Sequence, residues 1–173
     1  MPVKIPNKAW EETFFRDVYN YASRSKDPRT KVGAVLVHWD EKNSFSHGYN
    51  GFPRNVLDLD SRWERPEKYF FVCHAEVNSI LNCARLGSST KGAVMFTQGI
   101  PCSNCAQAIC QAGLKEVIIH QQWLNFEAEF NREKWEDSSK RTREMFIEAG
   151  VNLRSFDKTL NLIGYLDGKE ILV

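Results

Sequence analysis

Residues 93–120, AVMFTQGIPCSNCAQAICQAGLKEVIIH, decide the fold. AVMFTQ is a short apolar run bounded by turn residues, and KEVIIH is rich in β-branched side chains, so both read as strands. Between them PCSNCAQAICQAG has helical spacing, with Pro101 placed to open the helix and Gly113 to close it. A strand, a helix and a strand in immediate succession are the repeating unit of an α/β protein.

The rest of the chain extends that alternation. Trp10, Phe14, Val18 and Tyr21 recur at three- and four-residue spacing, which predicts a first helix capped by Asn7 and ended by Asp27-Pro28. KVGAVLVH and NSFSHGYN are extended runs joined by the turn residues WDEKN, a hairpin. Residues 51–69, punctuated by Pro53 and Pro66, read as a long loop, and loops of that length are usually functional or mobile. HAEVNSILNCARLG is a helix with Gly87 as its stop. After KEVIIH, a mixed-charge stretch from Glu127 to Gly150 is mostly helix with a solvated face, and VNLRSF is a strand. The tail LNLIGYLDGKEILV carries Asp167-Gly168 between two apolar runs, a second hairpin. The order α-β-β-α-β-α-β-α-β implies a mixed sheet with helices on both faces.

Composition limits what such a domain can do. With 173 residues the first expectation is one domain spanning 1–173. The net charge of +1 supplies no general attraction to a polyanion, so a phosphate contact must be local and a large nucleic acid is disfavoured. No apolar run approaches the roughly 18 residues of a membrane span, and MPVKIPNKAW lacks the apolar core of a leader, so the cytoplasm is the expected location. The cysteines are Cys73, Cys83, Cys102, Cys105 and Cys110, and an odd count speaks for free thiols or metal ligands over a disulfide framework.

Chemistry gathers at two helix starts. His74 and Glu76 stand at one, Cys102 and Cys105 at the other. The two sulfurs are separated by nearly one turn and share a helix face. If both openings meet at one sheet edge, an imidazole and two thiolates converge. That donor set suits zinc, and three protein ligands leave a fourth position for water, the rule in catalytic rather than structural sites. The helix N-termini favour the thiolates. Water on such a metal falls from a pKa of about 15.7 towards about 7, and Glu76 is then the spare group that moves its proton. His74-Ala75-Glu76 followed by Pro101-Cys102-Ser103-Asn104-Cys105 matches H-x-E…P-C-x-x-C, the established signature of the zinc deaminases.

Other readings of these residues are weaker. A redox pair at Cys102/Cys105 leaves His74 and Glu76 without a role. A structural zinc site needs a fourth ligand, and Cys73, next to His74 in an extended segment, points the opposite way. Cys83 and Cys110 read as packed thiols. His38, His47 and His120 read as ordinary strand or strand-end residues, and the aromatic stripe of the first helix as core.

Further stretches resemble the deoxycytidylate (dCMP) deaminases: Ser25-Lys26-Asp27-Pro28 with Val32-Gly33-Ala34, Gly48-Tyr49-Asn50-Gly51-Phe52-Pro53, Lys68-Tyr69 running into Cys73-His74-Ala75-Glu76-Val77-Asn78, and Cys105-Ala106 through Gln111-Ala112-Gly113-Leu114-Lys115-Glu116-Val117-Ile118. The likeness covers residues 10–120. It implies a cytidine-deaminase-like three-layer α/β/α fold with a mixed central sheet of about five strands. It also implies zinc-dependent hydrolysis of dCMP to dUMP and ammonia, supplying thymidylate synthesis, and a hexamer. Activation by dCTP and inhibition by dTTP follow from the same likeness, with Mg2+ accompanying the triphosphate and an effector site near Asn50, Gly51, Phe52 and Arg54. By resemblance, Asn50 hydrogen-bonds the sugar, the backbone at Ala75 holds the pyrimidine carbonyl, and Ser25 and Lys26 face the 5′-phosphate.

The residues support part of this by themselves. Lys26, Arg29 and Lys31 lie close together after a helix end, as a compact phosphate site requires, although a solvated loop explains Arg29 and Lys31 equally well. Asn50 between residues of a turn could merely serve that turn. The chain departs from the family after KEVIIH, where a phosphate-loop tyrosine is common. Here Gln121-Gln122-Trp123-Leu124 stands, and Trp123 offers an indole N–H or a flat face to the substrate. Two rival functions are a zinc deaminase for another base, such as cytidine or a tRNA adenosine, and a non-enzymatic module built on zinc.

Overall fold

A computed structural model of the chain describes residues 7–130 and 132–173, without the side chains of 130–135. Residues 1–6, read above for a leader, lie outside the described residues. The elements are α1 (Asn7–Ala22), β1 (Gly33–His38), β2 (Asn43–Tyr49), α2 (Lys68–Phe71), α3 (Ala75–Leu86), β3 (Val94–Thr97), α4 (Ser103–Gln111), β4 (Glu116–His120), α5 (Gln121–Phe130), α6 (Arg132–Ala149), β5 (Asn152–Phe156), β6 (Ile163–Leu166) and β7 (Lys169–Leu172).

The first five strands in the order β2-β1-β3-β4-β5 form one sheet, and β6 and β7 pair separately. β1 runs antiparallel to both β2 and β3, whereas β3, β4 and β5 are parallel. The parallel part follows from the strand–helix–strand units, since parallel neighbours need a crossover. Alternation along the strands separates two cores. Val35, Val37, Phe96 and Ile118 face Phe14, Phe15 and Val18 of α1. Leu36, Met95, Val117 and Ile119 face Cys83 of α3, Ala106 and Ile109 of α4 and Phe146 of α6. The result is the expected mixed sheet between two helical layers. No helix among the described residues is long and apolar enough to cross a membrane.

Two glycines allow the helices to seat. A Cβ on Gly33 would lie 2.2 Å from the Val18 carbonyl oxygen, and one on Gly48 would lie 2.3 Å from the Ala75 carbonyl oxygen and 2.5 Å from the Ser79 nitrogen. Gly48 therefore brings the first turn of α3 onto β2. The obstructing atoms are backbone, so a methyl group there forces the helix away from the sheet. Gly48→Ala is expected to cost about 3 kcal/mol, a fall of about 6–12 °C in Tm, read by thermal unfolding; an unchanged Tm would show that this close approach is not required.

Two segments differ from the sequence reading. The 51–69 loop contains a 3-10 turn at Asp60–Trp63 and leads into α2. Phe52 stacks on Trp63 at 4.3 Å, and the Trp63 indole donates to Asp58 Oδ1 at 2.8 Å, so aromatic contacts order a stretch that has no hydrophobic period. Residues 121–130 are helix α5 and start directly after β4, earlier than the helix expected from Glu127.

Candidate active site

His74 and Cys102 occupy equivalent backbone positions. Each is the extended residue just before a helix, with φ −70°, ψ 155° at His74 and φ −66°, ψ 165° at Cys102. The approach to α3 is clamped by paired backbone bonds between Gly51 and Cys73 at 2.9 and 3.1 Å. The approach to α4 is held by the Thr142 hydroxyl, which donates to the Pro101 carbonyl at 2.8 Å. These local restraints bring three donor atoms together. Cys102 Sγ and Cys105 Sγ each lie 3.4 Å from His74 Nδ1, and the sulfurs are 3.5 Å apart.

Those separations fit a tetrahedral zinc. Bonds of about 2.3 Å to sulfur and about 2.0–2.1 Å to nitrogen place the donors about 3.5–3.8 Å apart. The donor chemistry points the same way. With protons alone, the Cys105 contact pulls the Cys102 thiol down to about 4, and the Cys102 contact lifts His74 to about 9. Cys105 is pushed far upward, first by its contact with Cys102 and then by burial. A cation at the common point relieves this competition. Among the described residues, His74, Cys102 and Cys105 are the one group so arranged, and Cys73 is not part of it.

Glu76 stands in the first turn of α3, 6 % exposed, with Oε2 3.6 Å from Cys105 Sγ. Burial pushes its carboxyl upward, opposed by the nearby His74 imidazole. It stands directly beside the three-donor cluster. A pocket opens over this group, and its lining includes Asn50, Ala75, Arg65, Lys68, Glu127 and Asp167.

The other expected contacts divide. Ala75 lines the pocket. Asn50 does too, but its amide hydrogens are already committed to Asp27 Oδ2 at 2.9 Å and the Thr30 carbonyl at 2.8 Å, while its Oδ1 accepts from Val32 N–H. Asn50 is thus a loop brace with no free N–H for a sugar. Ser25 is a correction: it is buried and donates to the Asn50 carbonyl oxygen at 2.7 Å, facing the protein. Lys26 is another: its ammonium points to solvent and pairs with Asp58 at 2.6 Å, outside the pocket lining. Trp123 is the third. It is 1 % exposed in the core, because α5 replaces the expected loop, and its indole N–H donates to Glu127 Oε1 at 2.8 Å. Of the residues expected at an effector site, Gly51 is in the Cys73 clamp, Phe52 is stacked on Trp63 and Arg54 donates to Asn82 Oδ1 at 2.6 Å.

Several pocket residues escaped the sequence reading. Asp27, read as a helix stop, is 1 % exposed. Its Oδ1 accepts from the Arg29 and Thr30 N–H groups, and its Oδ2 accepts from Asn50 and from Lys68, the latter at 2.6 Å. Only the likeness around Lys68-Tyr69 hinted at Lys68. Glu127 lay inside a stretch read as solvated, and Asp167 inside an appended hairpin. The hairpin is in fact docked: Lys31 N–H donates to the Tyr165 carbonyl at 2.9 Å and Gly168 N–H to the Arg29 carbonyl at 2.6 Å. Burial pushes the Glu127 carboxyl up to about 7, against the opposing pull of the Trp123 hydrogen bond.

The sequence profile of the cytidine and deoxycytidylate deaminase zinc-binding region matches residues 8–121. The chain belongs to that family. It is 38% identical over 155 residues to deoxycytidylate deaminases of Homo sapiens and Mus musculus, covering 85% of this chain and 79% of each relative. Among solved structures, a dCMP deaminase from the cyanophage S-TIM5 in complex with dCMP and dUMP superposes with a TM-score of 0.63 at 24% identity, over 84% of this chain and 96% of that one. That likeness concerns the fold: the cytidine-deaminase-like sheet and its helical layers are shared. The family's zinc-binding character agrees with the His74, Cys102 and Cys105 cluster.

Proposed function

We propose that this chain, acting over residues 1–173 as one unit, converts dCMP and water to dUMP and ammonia. The observation that carries the reading is the buried Glu76 carboxylate beside a three-donor cluster in a pocket that also holds Arg65 and Lys68. The 38% identity to mammalian deoxycytidylate deaminases supports dCMP over other bases.

In this reading His74, Cys102 and Cys105 hold the zinc. When bound, zinc supplies Lewis-acid activation of the attacking water. Glu76 takes a proton from that water and delivers it to N3 of the cytosine ring, then passes a second to the departing amine. Oxygen replaces nitrogen at C4, so atoms and charge balance. Ala75 offers a first-turn backbone N–H, outside the intrahelical ladder, to the pyrimidine carbonyl. Arg65 and Lys68, which line the pocket, take the place of Ser25 and Lys26 as the groups that meet the phosphate. Regulation by dCTP and dTTP near residues 50–54, Mg2+ on the triphosphate, a hexamer, a cytoplasmic location and a role in dTMP supply are further parts of the reading, and rest on family resemblance.

A second reading is deamination of the uncharged nucleoside. It is favoured by the pocket's carboxylates, Asp27, Glu76, Glu127 and Asp167, which outnumber Arg65 and Lys68. Ammonia release from dCMP, CMP and deoxycytidine separates the two. For the proposed function, kcat/KM for dCMP is expected to exceed that for deoxycytidine by about tenfold or more, the size of a charge-assisted phosphate contact. Equal or better use of deoxycytidine would replace it with the nucleoside reading, and no ammonia from any of them would exclude both.

A further inference from the structure

Glu127 is one of four carboxyl groups that line the pocket, and the proposed reaction gives it no task. Its position is built. Oε1 accepts from the indole of Trp123, a side chain only 1 % exposed, at 2.8 Å. The carboxyl group lies flat on the backbone of Gly99, where a Cβ would come within 2.8 Å of Oε1 and 3.1 Å of Oε2. The absence of a side chain at Gly99 leaves the space that this carboxyl group occupies, just before Ile100-Pro101-Cys102. Among the described residues Oε2 has no protein partner, yet no buried side-chain oxygen or nitrogen there lacks one, so Oε2 is open to the pocket that Glu127 lines.

When ionised, a carboxyl oxygen facing a ligand can only accept, so in that form it needs a hydrogen-bond donor on the ligand. It repels a phosphate, and Arg65 and Lys68 come from a different segment. A pyrimidine deoxynucleotide carries its donors at the exocyclic amine and at the 3′-hydroxyl. The amine belongs at the ligand cluster with Glu76, which leaves the hydroxyl. We propose that Glu127 is a specificity-determining residue whose free oxygen accepts a hydrogen bond from the 3′-hydroxyl of the substrate. The inference rests on the dCMP reading above.

The test compares zinc-loaded wild type, E127Q and E127A on dCMP and on 2′,3′-dideoxycytidine 5′-monophosphate, with thermal unfolding run beside it. Wild type is expected to prefer dCMP by tenfold or more in kcat/KM. E127A should bring the ratio within twofold of one. E127Q keeps an oxygen for Trp123 and loses the charge, so its ratio should lie between. A structural role would lower both activities together and leave the ratio in place. A ratio unchanged in E127A, or already near one in wild type, overturns the role of Glu127 while dCMP remains the substrate. Absence of wild-type turnover of dCMP overturns both. If E127A does not fold, an unchanged ratio in E127Q overturns the proposal and a lowered one supports it.

Discussion

Replacing Glu76 with Gln is expected to leave zinc bound and lower dCMP turnover by about 10²–10⁴-fold, the usual contribution of a positioned proton carrier. The amide has the same shape and fits a side chain that is 6 % exposed, so packing around α3 is preserved. It cannot take up and release a proton. The three metal donors are untouched, since Glu76 Oε2 stands 3.6 Å from Cys105 Sγ and is not one of them. Burying a carboxylate is costly, so the neutral amide is not expected to lower Tm. Zinc content and ammonia release measured on the same sample decide the matter. Turnover within tenfold of wild type would remove Glu76 from the proton pathway, and zinc loss would make it a ligand.

The second large effect is expected from Asp27→Ala. Asp27 closes the 28–30 turn with Oδ1 and holds both Asn50 and Lys68 with Oδ2. The Lys68 side chain is 12% exposed, so removing its partner leaves an ammonium largely out of water. Breaking such a pair costs about 3–5 kcal/mol, which corresponds to about 10 °C in Tm for a chain of this size. KM for dCMP should rise as well, because Asn50 braces the 30–32 strand entry and Lys68 lines the pocket. Asp27→Asn retains an oxygen for the turn and is expected to lose less stability. Thermal unfolding and steady-state kinetics of both variants check this. A Tm within 2 °C of wild type for Asp27→Ala would show that Lys68 relaxes to solvent and that the pair contributes little.

The grouping of His74, Cys102 and Cys105, with Glu76 beside it, was legible because its geometry is local. Cys102 and Cys105 share a helix turn, His74 and Glu76 flank a helix start, and both helices follow extended segments. The mixed sheet with helices on both faces was equally legible, from short apolar and β-branched runs alternating with helical spacing. Trp123 was misplaced for the opposite reason. Its segment could be helix or loop on composition, and burial against α1 and the tail hairpin selected the helix. Ser25 and Lys26 failed because side-chain direction at a helix exit is set by neighbours distant in sequence, Asn50 for one and Asp58 for the other.

The amino-acid sequence by itself determined the strands of the sheet, the two helix starts that carry His74 and Cys102, and the reaction class, since strand runs, helical periodicity and helix-start spacing act over a few residues. Tertiary structure alone decided how the pocket is walled. Lys68 reaches Asp27, Glu127 settles over Gly99, and the 163–172 hairpin docks beside residues 29–31 to present Asp167. Each of these contacts joins segments far apart in the chain, so packing between layers, and no local pattern, brings them together.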